Sequence, residues 1–219
     1  WHAKWIGMNA ATLRATTNGV EELVAPAFEK SFVLAAKPLA AATLHITGVG
    51  FYEASLNGRR IGRKVLDPAP TRYDKRVLYS TYDLTDALRP GTNTLNVLLG
   101  HGFFEVRSEA VWNTFHAPWR DTPRMIAQLE LVYVDGARAE VASDGTWRQV
   151  PNPVGFDCFR EGEVIGKGRA DGPDLVKNVL LAAEVKGPAG RLVAEAQPGA
   201  EVVRTVAPVS VKALGPGKW

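Results

Sequence analysis

Apolar and polar residues alternate along most of this chain in runs of five to seven. Ala42, Leu44 and Ile46 interleave with Thr43, His45 and Thr47, which puts the two sets on opposite faces of a strand. Gly48 and Gly50 interrupt the run as a bulge or bend would, and Tyr52, Ala54 and Leu56 resume it against Glu53 and Ser55. Asn57-Gly58 then predicts a type I′ hairpin turn, since both central positions of that turn need positive φ. The return strand is expected to carry Ile61 and Val65. Leu95, Val97 and Leu99 alternate in the same way, as do Ala127, Leu129, Leu131 and Tyr133. Asp135-Gly136 and Asp144-Gly145 predict turns leading into strands at 139–142 and 146–150.

Helical period is nearly absent. Tyr82–Leu88 reads as one turn, with Asp83 or Thr85 capping its first amides and Pro90-Gly91 ending it. With 21 glycines and 14 prolines cutting the chain into short segments, the pattern is all-β: two antiparallel sheets packed face to face. Two stretches break the rhythm. Gly100–Arg124 is too long and too aromatic for a hairpin loop, and Gly166–Pro173 is glycine-rich and polar, as a mobile link would be. Beyond the link, Arg191–Ala196, Val202–Val206 and Val209–Leu214 are expected as strands.

Composition narrows the function classes. The 219 residues are 46% hydrophobic and 22% charged, which suits a globular chain of one or two domains. Although the pI is near 9.0, 26 basic against 23 acidic residues leave only +3, without basic runs, so nucleic acid is not expected as a partner. No apolar stretch approaches the roughly 20 residues of a spanning helix, so no membrane partner is expected either. Cys158 stands alone, which excludes an internal disulfide and any multi-cysteine zinc site and favours a small buried thiol. A start at Trp1 is not that of an intact translation product; a removed leader, and with it a periplasmic or extracellular location rather than a cytoplasmic one, is the expectation.

Several segments together resemble the N-terminal β-sandwich module of bacterial α-L-rhamnosidases. These are Gly50–Gly62, Val65-Leu-Asp-Pro68, Thr71–Tyr79, Thr81–Asp86, Leu98–Phe104, Pro123–Glu130 and Gly162-Glu163, in that order. The hairpin and the Asp-Leu-Thr-Asp turn by themselves look equally like the sugar-binding jelly roll of β-galactosidases and β-glucuronidases. The resemblance implies an antiparallel jelly-roll β-sandwich, galactose-binding-domain-like, with long loops at one end. On that reading residues 1–30 are an N-terminal arm, 31–165 the sandwich, and 166–219 a link and strands leading toward a following domain. In the family the general acid and base of an inverting hydrolysis sit in an (α/α)6 barrel, and no repeated amphipathic helices are present here. The chain departs from the family where Val164–Arg169 replaces a Tyr-Asp-Ala-Arg run and where His101-Gly-Phe-Phe104 replaces Asn-Gly-Trp-Tyr.

Some modules of this type bind L-rhamnose with a calcium ion at the loops of one end. Calcium takes six to eight oxygen ligands, and a pyranose offers a flat face to an aromatic ring and hydroxyls to planar polar groups. The expected carbohydrate contacts are Asp67, Tyr73, Asp74 and Arg76 in one loop and Trp112, Asn113, Trp119 and Arg120 in the other. Asp74, Asn113 and Asp121 are the candidate calcium ligands. No cofactor is otherwise required. Each residue has a plainer reading: Asp67 before Pro68 as a turn former, Asp74 and Arg76 as a surface ion pair, Trp112 and Trp119 as covers for the sandwich end or contacts with further domains. Glu161 and Glu163, two apart in a strand, make a poor acid/base pair. His2, His45, His101 and His116 lack metal-ligand spacing. Three functions remain: an ancillary module of an α-L-rhamnosidase, partnered by its remaining domains and by a rhamnose-containing glycan; a calcium-dependent rhamnose-binding module; and an enzyme in its own right.

Overall fold

The computed structural model describes residues 1–9, 25–106, 112–165 and 180–215. Two β-sheets pack face to face. The first holds, in spatial order, β15 (Ala183–Glu184), β1 (Ile6–Gly7), β9 (Arg124–Tyr133), β3 (Leu39–Val49), β7 (Arg76–Asp83) and β16 (Arg191–Ala194), with β10 (Arg138–Ala142) also paired to β9. The second runs β14 (Leu180–Leu181), β11 (Arg148–Val150), β2 (Ala27–Leu34), β8 (Gly91–Gly100), β4 (Phe51–Leu56) and β5 (Arg59–Arg60). All these pairings are antiparallel except β16 with β7. Two small ladders complete the set: β12 (Val154–Cys158) with β13 (Gly162–Ile165), and β6 (Lys64–Val65) with β17 (Ala200–Glu201).

The alternation read from the sequence sets the core. Leu44, Ile46, Leu129 and Leu131 of the first sheet meet Phe28, Leu95, Val97, Leu99, Ala54 and Leu56 of the second, all almost fully buried. Trp147 is the largest buried side chain, and its indole N–H donates to the Ala142 carbonyl at 2.9 Å. A smaller cluster of Val49, Tyr73, Val77 and Phe104 closes one end, with Trp5 and Trp119 packed on it.

The turns follow their chemistry. Asn57 and Gly58 have φ of 52° and 78°, as a type I′ turn requires. Gly50 has φ 104° at the bend between β3 and β4, and a Cβ there would lie 2.0 Å from the Gly100 carbonyl oxygen. At 84–88 the single helical turn forms: the Asp83 carboxylate accepts from the Thr85 amide, while the Thr85 hydroxyl accepts from the Ala42 amide and ties the turn to β3.

Two expectations change. The return strand after Asn57-Gly58 is only β5; Ile61 follows it, buried, and Val65 belongs to β6, because the chain bends away to bring Asp67 beside Tyr52. Val202–Val206 and Val209–Leu214 form no strands. Val209 and Val211 alternate as strand residues do, yet no described strand lies beside either segment, and Val203, Val206 and Val209 are exposed. The sheets also draw on β1, the start of β2 and β14–β16, outside residues 31–165. The glycine-rich stretch 166–173 lies outside the described residues.

One segment, 180–201, crosses the molecule as a strap. It supplies β14 to the second sheet and β15 beside β1, then passes Trp5, whose carbonyl accepts from the Val185 amide. The Arg124 guanidinium donates to the Lys186 carbonyl, the Gly190 amide to the Tyr73 carbonyl, and β16 then lies against β7. Gly190 permits that approach, since a Cβ there would fall 2.5 Å from the Tyr73 carbonyl oxygen.

Two substitutions test this packing by urea denaturation. Leu44→Ala should cost about 2–5 kcal/mol, whereas Val33→Ala, on a strand but 76% exposed, should change stability by no more than about 0.5 kcal/mol. Similar losses at both positions would contradict the assigned faces. Gly190→Ala should expose the β7–β16 edge to proteolysis while leaving the far-ultraviolet spectrum of the sandwich intact.

Candidate functional site

Two loops meet at the end of the sandwich. The turn 72–76, closed by Lys75 and Arg76 amides donating to the Arg72 carbonyl, lifts Tyr73 and Asp74 off the start of β7. The second loop leaves β8 at Gly100 and returns at Arg124. Its described part 112–123 contains one 3₁₀ turn, Thr114–His116, preceded by Trp112 and Asn113 at φ 43° and 58°.

They meet through apolar rings. Tyr73 is 1% exposed, packs edge-on against Phe104 at 5.2 Å and against Trp119 at 6.3 Å, and Arg72 covers the Trp119 ring at 5.7 Å. The Tyr73 hydroxyl and the Trp119 indole N–H are buried with no hydrogen-bond partner among the described residues. Burial pushes the Tyr73 hydroxyl above the usual phenol range.

Several expected contacts are occupied otherwise. Asp74 pairs with Arg72, not Arg76, through both oxygens at 2.7 and 3.2 Å, because the tight turn brings position 72 back over 74. That hydrogen bond holds its carboxyl below the usual range. Arg76 is instead the first residue of β7, exposed and in register with Arg191 of β16. Asp121 pairs with Arg124 at 2.5 Å and accepts from the Thr122 amide. Arg120 donates to the Val106 carbonyl and lies over Phe115 at 4.6 Å. Trp112, 72% exposed, and Asn113 stand open to solvent.

Calcium does not fit this donor set. Both carboxylates, Asp74 and Asp121, are already neutralised by guanidinium groups, and Asn113 adds one amide where six to eight oxygens are needed. Among the described residues no group of three or more His, Cys, Asp or Glu side chains could hold a metal ion. Nor is any helix among them long and apolar enough to cross a membrane.

Asp67 is the largest departure from the expected loop. It is 4% exposed, and its Oδ2 accepts from the Tyr52 and Ser80 hydroxyls, each at 2.8 Å. Lys64 Nζ lies 3.5 Å from Oδ1 and 2.5 Å from Glu195 Oε2; the Glu195 side chain is 1% exposed. Asp67 is a buried junction between Tyr52, Ser80 and Lys64. Burial first, and then the charge of Glu195, raise its carboxyl above the usual range against the hydroxyl hydrogen bonds. For Glu195 burial acts upward too, but hydrogen bonds from Lys64 and with Asp67 outweigh it and lower the carboxyl. Lys64 and Glu195 carried no signal of this role in the sequence.

An open cleft of about 380 Å³ lies beside the junction, between the β4–β8 edge and the β12–β13 hairpin, lined by Phe51, Leu66, Leu98, Val154, Asp157 and Phe159. Leu66 faces it at φ 55°, a strained conformation for a branched side chain. His101 fastens the hairpin: its backbone amide and Nδ1 lie 2.8 and 2.7 Å from the Asp157 carboxylate. Glu161 and Glu163 are exposed on the hairpin, Glu163 at the wall of this open cleft, and Cys158, the last residue of β12, is buried.

Comparison with known proteins places this geometry. A family model described as the α-L-rhamnosidase N-terminal domain matches residues 37–204, more than half of the chain. An α-L-rhamnosidase of Formosa agariphila is 38% identical over 126 residues, covering 56% of this chain and 13% of that protein. The structure of α-L-rhamnosidase from Dictyoglumus thermophilum aligns with a TM-score of 0.80 at 30% identity, over 99% of this chain and 25% of that one. The crystal structure of Streptomyces avermitilis α-L-rhamnosidase complexed with L-rhamnose aligns at 0.72 and 30% identity, over 82% and 18%. The chain thus spans a quarter or less of the length of these relatives. By sequence and by fold, it belongs to the family of α-L-rhamnosidase N-terminal domains.

Proposed function

We propose that this chain is a non-catalytic, ancillary module of an α-L-rhamnosidase, an inverting glycoside hydrolase that releases terminal α-L-rhamnose, and that it shapes and orients the enzyme. The observation that carries this reading is how the two end loops meet. Tyr73, Phe104 and Trp119 close on one another, and the acids that would serve a ligand are held by Arg72 and Arg124. A loop pair that collapses on its own rings supports a scaffold more than a sugar site. The exposed Trp112, Phe159, Val164 and Ile165 suit contact with the remaining domains of such an enzyme.

One observation favours a second reading, a rhamnose-binding module. Trp112 is 72% exposed, parallel to Phe103 at 6.4 Å between ring centroids and with the Arg160 guanidinium 4.9 Å from its ring centre, an exposed aromatic and planar polar pair of the kind that could contact a pyranose in a rhamnose-containing glycan. Titration calorimetry of the 219-residue chain with L-rhamnose separates the two. The expected result is no heat at millimolar sugar, with or without calcium; saturable heat that Trp112→Ala abolishes would establish the second reading. Hydrolysis of p-nitrophenyl α-L-rhamnoside by this chain should stay at the uncatalysed rate, and release above that rate would overturn the non-catalytic assignment.

A further inference from the structure

Among the described residues, the junction around Asp67 holds two carboxylates and one cation, Lys64. Tyr52 of β4, Ser80 and Tyr82 of β7 and the Ala69 amide complete its lining, and none of them carries a positive charge. Of the nearby arginines, Arg60 donates to the Lys64 carbonyl and pairs with Glu53, while Arg63 pairs at the surface with Glu201. Lys64 can neutralise one acid. Lys64 Nζ lies between the two carboxyls, 3.5 Å from Asp67 Oδ1 and 2.5 Å from Glu195 Oε2, and two acids buried around one positive charge are neutral as a group only when one of them keeps a proton. Ser80 cannot substitute for that proton, because its single hydroxyl hydrogen faces both Asp67 at 2.8 Å and Glu195 at 3.2 Å.

The second acid belongs to the strap. Glu195 follows directly on β16, a four-residue parallel edge strand whose exposed ends leave it weakly held by its ladder alone. Just beyond, Gly199 packs on the Lys64 stem, where a Cβ would lie 2.6 Å from Cδ, and β17 pairs with β6. Past β17 the described chain exposes Val203, Val206, Val209 and Leu214.

We propose that Asp67, Lys64 and Glu195 form a proton-dependent latch that fastens the 191–201 end of the strap to the sandwich and loosens it when the proton shared by the two acids is lost. With the proton the cluster is neutral. Without it a net negative charge is left buried, and the strand bearing Glu195 is the element that can move away with least loss of core. Asp67 is raised in the folded protein, so the stability it contributes is full below its unfolded value and is lost as pH rises through its folded value. Glu195 is lowered, so its contribution is lost only as pH falls through its own folded value, on the acid side. The latch is therefore tightest in mild acid and slackens toward alkaline pH.

Amide hydrogen exchange on the 219-residue chain, corrected for intrinsic rates and followed from about pH 4 to pH 8, tests this directly. Protection at Leu192–Glu195 should fall by about tenfold relative to Leu44 and Ile46 as pH rises. Asp67→Asn, whose amide can donate to Glu195 without a charge, should flatten that fall. A β16 profile parallel to that of β3 in the unsubstituted chain would overturn the latch by itself, whether or not the variant folds. So would an undiminished fall in Asp67→Asn.

Discussion

A buried carboxylate with no adequate counter-charge of its own organises one whole side of this molecule. Asp67 accepts from Tyr52 on β4 of one sheet and from Ser80 on β7 of the other, so the two sheets are tied across their seam by one side chain. Its remaining needs are met from a distance. Lys64 arrives from the short β6, and Glu195 from the strap that has already crossed the end of the sandwich. Removing a carboxylate from water is costly unless its hydrogen bonds and charge are matched, so the position of the strap is a condition for burying Asp67. The reverse also holds, since β16 has only a short parallel ladder to fasten it.

The end of the sandwich where the two loops meet is organised by rings. Tyr73, Phe104 and Trp119 seal the end where the two loops meet, with Arg72 and Arg124 each held by an acid and laid over a ring of that cluster. Trp112, by contrast, is 72% exposed.

The fold was legible because its signals are local. Two-residue alternation identified the buried faces of β3, β4, β8 and β9, and Asn57-Gly58 and Asp135-Gly136 form the turns they predict. The site was less legible because its partners are distant. Lys64 and Glu195 are 131 positions apart, and neither lies in a pattern that singles it out. Asp74 shows the same limit at short range: both Arg72 and Arg76 are two residues away, and only the turn geometry decides that Arg72 is the partner. The valines of 202–214 illustrate a third limit. Alternation describes what a segment would do beside another strand, and here no described strand is beside it.

A double-mutant cycle on the Lys64–Glu195 pair tests most directly whether this junction holds the strap and the sheets together. Lys64→Met, Glu195→Gln and the double variant would be compared by urea denaturation. The account predicts an interaction energy of about 0.5–3 kcal/mol, with the double variant more stable than the sum of the two single losses implies. Additive losses would contradict it, because they would mean that Lys64 and Glu195 contribute independently and that the buried acids are not held as one unit.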